Sequence, residues 1–156
     1  MKLRWCFFPF VLTALFASCS PAQSESSIQN ASSEYETIIK DQTILWKDCL
    51  SQEEDDYLVF IYSETCDHCH EIIGDVIAFS QENILKTYFV NKSNTENEIL
   101  ICAIDEITVG VDDIDKLAVA GTPTLLEVES GRTTANAAGA NHCLTFLNEL
   151  RVSKKK

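Results

Sequence analysis

The feature that most constrains the fold is a continuous apolar run at residues 57–62, followed closely by a change in apolar spacing. The run is rich in aromatic and β-branched side chains and is bounded by charged residues, which is typical of a buried central strand. From residue 66 onward the apolar side chains recur at helical intervals instead. These side chains are Ile72, Ile73, Val76, Ile77 and Phe79. The sequence therefore predicts a strand that breaks at 63–65 and continues into a helix.

The rest of the chain alternates between extended and helical patterns and shows no internal repeat. The other predicted strands cover residues 34–40, 85–91 and 124–128. The other predicted helices cover residues 41–54, 112–119 and 143–152. The order of these elements predicts an α/β fold with a central mixed sheet.

Composition and charge narrow the class of protein. A chain of 156 residues with 46% hydrophobic and 23% charged residues is sufficient for one domain with a hydrophobic core. Its formal net charge of -12 would repel phosphate backbones, which argues against nucleic acid as a partner. Residues 153–156 are predicted to be a solvated basic tail.

The N-terminus has the organisation of a secretory signal. Lys2 and Arg4 precede an apolar run at residues 5–16, which is too short to span a bilayer comfortably. Two small residues follow the run. We therefore predict a signal peptide at residues 1–18, export of the protein, and a compartment in which disulfides can persist.

Residues 16–19 resemble the lipobox of bacterial lipoproteins, in which the cysteine becomes the lipidated first residue. Cys19 would then hold the protein on the extracytoplasmic face of a bacterial membrane, and this lipid anchor would be its only membrane contact. Phe16 departs from the pattern, which prefers leucine there. Residues 19–34 are rich in polar side chains and are predicted to be a flexible tether. An ordinary signal peptide that happens to end at a cysteine is the alternative.

Cys66 and Cys69 stand at the predicted junction between strand and helix, with the spacing C-x-x-C. Unpaired N–H groups and the positive end of the helix dipole stabilise a thiolate at such a position. Cys66 is therefore the predicted attacking nucleophile, and Cys69, one turn further in, is the predicted resolving thiol. A protonated imidazole at His68 would lower the pKa of Cys66, whereas the carboxylate of Asp67 would raise it.

Haem attachment and zinc binding are the competing interpretations of this segment. Residues 66–70 spell C-x-x-C-H, but haem commonly takes a methionine as its second axial ligand, and the only methionine is Met1. His142 could substitute, although a strand before the motif is not typical of small haem proteins. Zinc needs a second ligand pair, and Cys102, His142 and Cys143 show no paired spacing. The sequence therefore favours a redox-active disulfide without a metal or organic cofactor.

Two segments of the chain resemble the thioredoxin superfamily. Residues 58–69 look like the strand and active-site segment of that family, and residues 121–126 look like its cis-proline loop and the following strand. The resemblance implies a thioredoxin-like three-layer sandwich over residues 35–152, with a central mixed sheet flanked by helices. It also implies that Pro123 is cis and faces the cysteines, and that the backbone of Thr122 hydrogen-bonds a bound peptide.

The sequence also departs from thioredoxin itself. The buried aspartate that assists the resolving cysteine in thioredoxins would align with Phe60, so that proton relay is missing. A histidine before the second cysteine, here His68, is shared with periplasmic oxidant families. A threonine before the proline, here Thr122, resembles isomerases and some reductases. The direction of electron flow therefore stays open at this point.

Three further cysteines would remain beside the motif, and an odd number leaves at least one free thiol or one intermolecular bond. In a thioredoxin-like arrangement, Cys49 and Cys102 would lie on one face of the sheet and Cys143 on the other. The resemblance therefore implies a structural disulfide between Cys49 and Cys102, with Cys143 free and buried. The alternative is that all three are small core residues.

The motif and the resemblance together predict an extracytoplasmic thiol–disulfide oxidoreductase of the reductase or isomerase type. Its partners would be protein thiols and disulfides and an unidentified redox partner. The alternative is a binding role, either as a thioredoxin-fold adaptor or as an accessory lipoprotein that delivers metal or haem.

Overall fold

The computed structural model describes residues 25–102 and 108–154, with side chains from residue 33 onward. The predicted signal peptide at 1–18, the predicted lipidation site Cys19 and the last two residues of the basic tail lie outside the described residues. Within the described ranges, no helix has the length and apolar character needed to cross a membrane.

Nine regular elements and one short 3-10 helix at Trp46–Asp48 make up the described chain. The helices are α1 (Glu25–Asp41), α2 (Asp67–Gln81) and α3 (Ala140–Ser153). The strands are β1 (Asp56–Tyr62), β2 (Lys86–Asn91), β3 (Leu100–Ile101), β4 (Ala118–Val119), β5 (Thr124–Glu129) and β6 (Arg132–Ala138).

The main sheet is mixed, with the strand order β2-β1-β5-β6. Strand β1 runs parallel to β2 and antiparallel to β5, and β5 pairs antiparallel with β6. The side chains of β1 from Tyr57 to Ile61 are buried, as expected for a central strand covered on both faces. The predicted α/β class with a central mixed sheet is confirmed.

One face of the sheet is covered by helices, and we call it the helical face. Leu58 and Phe60 of β1 point into it and pack against apolar side chains from all three helices. The buried residues that α2 and α3 contribute are Cys69, Ile72, Val76, Ile77, Phe79, Cys143, Leu147 and Leu150.

The opposite face is covered mainly by irregular chain, and we call it the irregular face. Val59 and Ile61 of β1 point into it and pack with the 3-10 helix residue Trp46. Val119 of β4 and Leu117, which precedes this strand, also pack in this layer. The protein therefore has three layers, but α1, α2 and α3 all lie in one of them.

The strand predicted at 34–40 is wrong, because these residues belong to helix α1. Tyr35, Ile38 and Ile39 follow helical spacing, and the two isoleucines pack against the core of the helical face. The helix begins at Glu25, so part of the segment predicted to be a tether is helical.

The helix predicted at 41–54 is also wrong. Phe89 of β2 donates its N–H to the carbonyl of Gln42 (3.0 Å) and accepts the N–H of Ile44 (2.9 Å). This parallel bridge at Thr43 holds the segment extended along the outer edge of β2. Backbone pairing with a distant strand therefore outweighs the local helical pattern.

The helix predicted at 112–119 is wrong for a related reason. Asp113 accepts the N–H of Asp115 through its side chain (3.1 Å), which favours a turn. Ala118 and Val119 then pair with β3. The predicted elements at 85–91, 124–128 and 143–152 are confirmed as β2, β5 and α3.

The structural disulfide predicted between Cys49 and Cys102 is not formed, since both are free thiols. Cys49 is fully buried beneath β1, where Tyr57 donates its hydroxyl to the Cys49 carbonyl (2.8 Å). Cys102 follows β3 and is only partly buried, with its N–H bonded to Val119 (2.9 Å). Cys143 is free and buried, as predicted.

Candidate active site

The cysteine pair lies at the carboxyl end of β1, where the chain enters α2. Cys66 is the N-cap residue of α2, and Cys69 belongs to its first turn. The two residues form a disulfide, with their Cα atoms 5.2 Å apart. Cys66 is partly exposed, whereas Cys69 is buried. Of the two sulfurs, Cys66 is therefore the one that a substrate can reach.

The helix backbone is placed to stabilise negative charge on Cys66. Cys69 donates its N–H toward the Cys66 sulfur at 3.2 Å, so this sulfur occupies the position of an N-cap acceptor. The helix behind it has 15 residues, and its positive end faces the same sulfur. A thiolate formed at Cys66 on reduction of the disulfide would therefore be stabilised by the helix N-terminus.

The turn before Cys66 is fixed through Glu64. The Glu64 N–H is bonded to Ser93 Oγ (3.2 Å), and its carboxylate accepts a hydrogen bond from Asn91 Nδ2 (2.7 Å). The Glu64 carbonyl accepts a hydrogen bond from His70 Nε2 (2.9 Å). Three polar groups of one exposed residue are thus tied to the end of β2 and to α2.

The bond from His70 also bears on the haem interpretation of C-x-x-C-H. A carbonyl oxygen can only accept, so Nε2 of His70 carries the proton and points at Glu64. In this conformation, the nitrogen is engaged with the protein backbone rather than free to bind iron. Among the residues described, no group of three or more His, Cys, Asp or Glu side chains could hold a metal ion.

His68 lies on the exposed side of the first turn of α2. Its Nδ1 is 3.0 Å from the Glu71 carboxylate, and 73% of its side chain is exposed. This hydrogen bond, together with the charges of Glu71 and Asp67, raises the pKa of His68 above its usual value. His68 therefore keeps its positive charge to higher pH than an isolated histidine, although its direct partner is Glu71 rather than a cysteine.

The loop that precedes β5 forms the second wall of the site. The Thr122–Pro123 peptide bond is cis. The Cys66 sulfur lies 3.5 Å from the Thr122 carbonyl oxygen, so the two sequence motifs meet in space. Thr122 is partly exposed and Pro123 is buried. The Pro123 carbonyl accepts the N–H of Gly139 (2.8 Å), which ties this loop to the start of α3.

Phe60 occupies the core position beneath the motif. It is fully buried, stacks on Tyr62 with the ring centroids 5.9 Å apart, and meets the edge of Phe89. An aromatic ring supplies no proton acceptor there, so the resolving thiol of Cys69 gets no help from this position.

Cys143 is the third cysteine of the helical face and sits behind the proline loop. Its sulfur is 3.2 Å from the Ala137 carbonyl and 3.9 Å from the Pro123 carbonyl. Burial raises the pKa of this thiol to about 11, so it is neutral near pH 7. Burial raises the pKa of Cys49 as well. Both thiols are therefore inert core groups, in contrast to Cys66.

The structure adds residues that the sequence does not single out for this site. Glu64, Asn91 and Ser93 position the turn before Cys66. His68 and Glu71 also face His142, at the start of α3, across an open groove of about 350 Å³. His68 is expected from the sequence, but nothing in the local pattern marks Glu64, Glu71, Asn91 or Ser93 as part of the site.

Comparison with known proteins gives structural similarity alone. No family model matches the sequence, and no protein with a curated description matches it. The similar solved structures include three thioredoxins of low sequence identity. The thioredoxin of Aeropyrum pernix is 23% identical with a TM-score of 0.49, over 70% of this chain and 83% of that one.

Thioredoxin f2 of Chlamydomonas reinhardtii is 19% identical with a TM-score of 0.47, over 69% of this chain and 93% of that one. The thioredoxin of Trypanosoma brucei brucei is 19% identical with a TM-score of 0.47, over 80% of this chain and 86% of that one. Similarities of this size concern the fold, and the chemistry of this chain follows from its own residues.

Proposed function

We propose that this protein is a thiol–disulfide oxidoreductase that exchanges disulfides with protein substrates through Cys66 and Cys69. The observation that carries the proposal is the placement of the pair. The exposed sulfur caps a helix and faces the Thr122 carbonyl at 3.5 Å, while the second cysteine is buried one turn further in. This arrangement favours Cys66 as the attacking nucleophile and leaves Cys69 to resolve the mixed disulfide.

In the reducing direction, the Cys66 thiolate attacks a substrate disulfide. A mixed disulfide forms between Cys66 and one substrate sulfur, and the other substrate sulfur leaves as a thiolate. Cys69 then loses its proton and attacks the Cys66 sulfur, which releases the second substrate thiolate. The protein ends with the Cys66–Cys69 disulfide, and the substrate has gained two electrons, with its two thiolates taking up protons from the solvent.

The oxidising direction is the reverse of the same steps. In isomerisation, a different substrate thiol attacks the mixed disulfide, so the substrate forms a new disulfide and Cys66 is released as a thiolate. We favour the reductase or isomerase type, because Thr122 precedes the proline. The partly exposed Thr122 backbone lies beside the reacting sulfur and is the part of the chain that we expect to hold an extended peptide of the substrate. An unidentified redox partner would restore the starting state of the pair.

The proposed place of action is the extracytoplasmic face of a bacterial membrane. Support comes from the signal-like residues 1–18 and from Cys19, which would carry the lipid anchor. The polar segment after Cys19 would let the domain reach substrates away from the membrane surface. Globomycin sensitivity of processing and metabolic labelling with palmitate would test this location, and a protein that stays unlabelled would refute it.

The activity is tested by insulin-disulfide reduction with dithiothreitol as electron source. The Cys66→Ser variant should lose the catalysed rate, because no other exposed thiol within residues 25–102 and 108–154 sits at a helix N-cap. The Cys102→Ser variant is the matched control, since it removes a partly exposed thiol outside the site. Unchanged insulin reduction by Cys66→Ser would refute the assignment of the nucleophile, whereas an unsubstituted protein that adds nothing to the rate with dithiothreitol alone would favour the binding role.

A further inference from the structure

We propose that His70 is a positioning residue that holds the Cys66 sulfur at the N-terminus of α2. The inference rests on the proposed function, because it concerns the same cysteine pair. It goes beyond that function by giving a role to the histidine of the C-x-x-C-H sequence that involves neither haem nor proton transfer.

His70 makes two hydrogen bonds to the backbone at and just before Cys66. Its ring Nε2 donates to the Glu64 carbonyl at 2.9 Å. Its backbone N–H donates to the Cys66 carbonyl at 3.2 Å. One residue therefore fixes the backbone two positions before the nucleophile and the backbone of the nucleophile itself.

The backbone bond of His70 is the ordinary helical bond and would exist with any side chain except proline. The ring bond is different, because it reaches six residues back, out of the helix and onto the turn at 63–65. The contacts of Asn91 and Ser93 tie the same turn to β2 instead. Apart from the backbone bond of the Cys66 N–H to the Ser63 carbonyl (3.2 Å), His70 supplies, among the described side chains, the link between this turn and α2, the helix whose N-terminus stabilises the thiolate.

The link matters because the stabilisation depends on distance. The Cys69 N–H meets the Cys66 sulfur at 3.2 Å, and hydrogen bonds weaken steeply as length and angle depart from the optimum. If the ring bond is lost, the turn can move relative to α2 and carry the sulfur off the helix axis. The reduced form then loses thiolate stabilisation, so the pKa of Cys66 rises and the couple becomes more reducing.

The primary experiment compares the full-length protein with His70→Leu, which keeps most of the side-chain bulk and removes the donor. The reduced proteins are alkylated with iodoacetamide across a pH series, and modification is assigned to Cys66 by tandem mass spectrometry. We expect His70→Leu to slow Cys66 alkylation about threefold at neutral pH, the effect of losing one ordinary hydrogen bond. The midpoint of the pH profile should move upward.

Two further variants separate positioning from charge and from general stability. His70→Gln keeps a neutral N–H donor and should restore most of the rate, whereas a role of imidazolium charge predicts no rescue. Gln52→Leu removes another bond from a side chain to a backbone carbonyl (Gln52 Nε2 to Asp48, 2.6 Å) in a loop outside the site. It should leave Cys66 alkylation unchanged.

The Cys66–Cys69 reduction potential, measured in glutathione buffers, is the second readout and should become more negative in His70→Leu. An unchanged pH midpoint together with an unchanged potential would overturn the positioning role. So would an equal shift in His70→Leu and His70→Gln. Insulin reduction that survives Cys66→Ser would instead overturn the proposed function, so the two failures are distinguishable.

Discussion

The two faces of the central sheet are covered in different ways, although β1 supplies fully buried side chains to both. On the helical face, regular helices pack through periodic apolar side chains. On the irregular face, a 3-10 helix, turns and two very short strands cover the sheet instead. The reactive cysteine stands at the end of the helical face, because a helix N-terminus is what stabilises its thiolate.

Burial and reactivity are separate properties of a cysteine in this fold. Cys49 on the irregular face and Cys143 on the helical face are both fully buried, and burial raises the pKa of each thiol. Cys66 is partly exposed and caps a helix. Location at the helix end, rather than membership of either core, therefore decides which thiol can react.

The largest expected effect separates the reactive thiol from the buried ones. Cys66→Ser should lower the rate of insulin reduction by about a hundredfold or more, because the covalent step has lost its nucleophile. Cys49→Ala on the irregular face should leave the rate per folded molecule unchanged. An equal loss of rate in both variants, measured on proteins with matched circular dichroism spectra, would contradict the claim that Cys66 is reactive and Cys49 is inert.

The next effect compares the two cores with the same substitution. Leu147 of α3 and Leu117 beside β4 are both fully buried, one on each face. We expect Leu147→Ala to lower the free energy of unfolding by about 4 kcal/mol and Leu117→Ala by about 2 kcal/mol, because irregular chain can relax into the cavity more easily. Urea unfolding measures both values, and a larger loss for Leu117→Ala would reverse the expected order.

A smaller effect concerns the polar bonds of the irregular layer. The buried Thr133 hydroxyl donates to the Thr108 carbonyl and accepts the N–H of Val111 (3.0 Å). Thr133→Val removes both bonds at nearly constant volume and should cost about 1–2 kcal/mol of unfolding free energy. Insulin reduction at 25 °C should be unaffected. A lower rate in the folded variant would mean that the irregular layer also supports the site.

The smallest effect is the pH response of His68 on the helical side. Because Glu71 raises the pKa of His68 in the folded state, the pair contributes stability below the ordinary histidine pKa and loses it as pH rises through the raised value. Glu71→Gln should bring the His68 pKa down toward its ordinary value, as followed by NMR titration. A His68 pKa that stays raised would show that a group other than Glu71 stabilises the charged imidazole.

The same contrast explains how much of the fold can be predicted from the sequence. The buried run of β1 and the periodic apolar side chains of α2 and α3 are local signals, and the predictions made from them are confirmed. The helix predicted at 41–54 fails because its backbone pairs with Phe89, far away in the chain. The helix predicted at 112–119 fails because its end pairs with β3.

The site divides in a similar way. Cys66, Cys69 and the Thr122–Pro123 pair can be found from short motifs, and the structure brings the two motifs together. The Glu64–His70 bond cannot be found that way, because a spacing of six residues across a strand-to-helix turn has no periodic signature. The failed Cys49–Cys102 pairing came from a family-like arrangement of helices that the irregular face does not have.

The most direct test of the central claim is a trapping experiment with Cys69→Ser. Without the resolving thiol, the reduced variant should attack a disulfide-bonded substrate such as insulin and stop at the mixed disulfide. We expect a covalent complex that dithiothreitol releases and that mass spectrometry places at Cys66. A complex through Cys102, or no complex at all while Cys66 is reduced and the protein is folded, would contradict it.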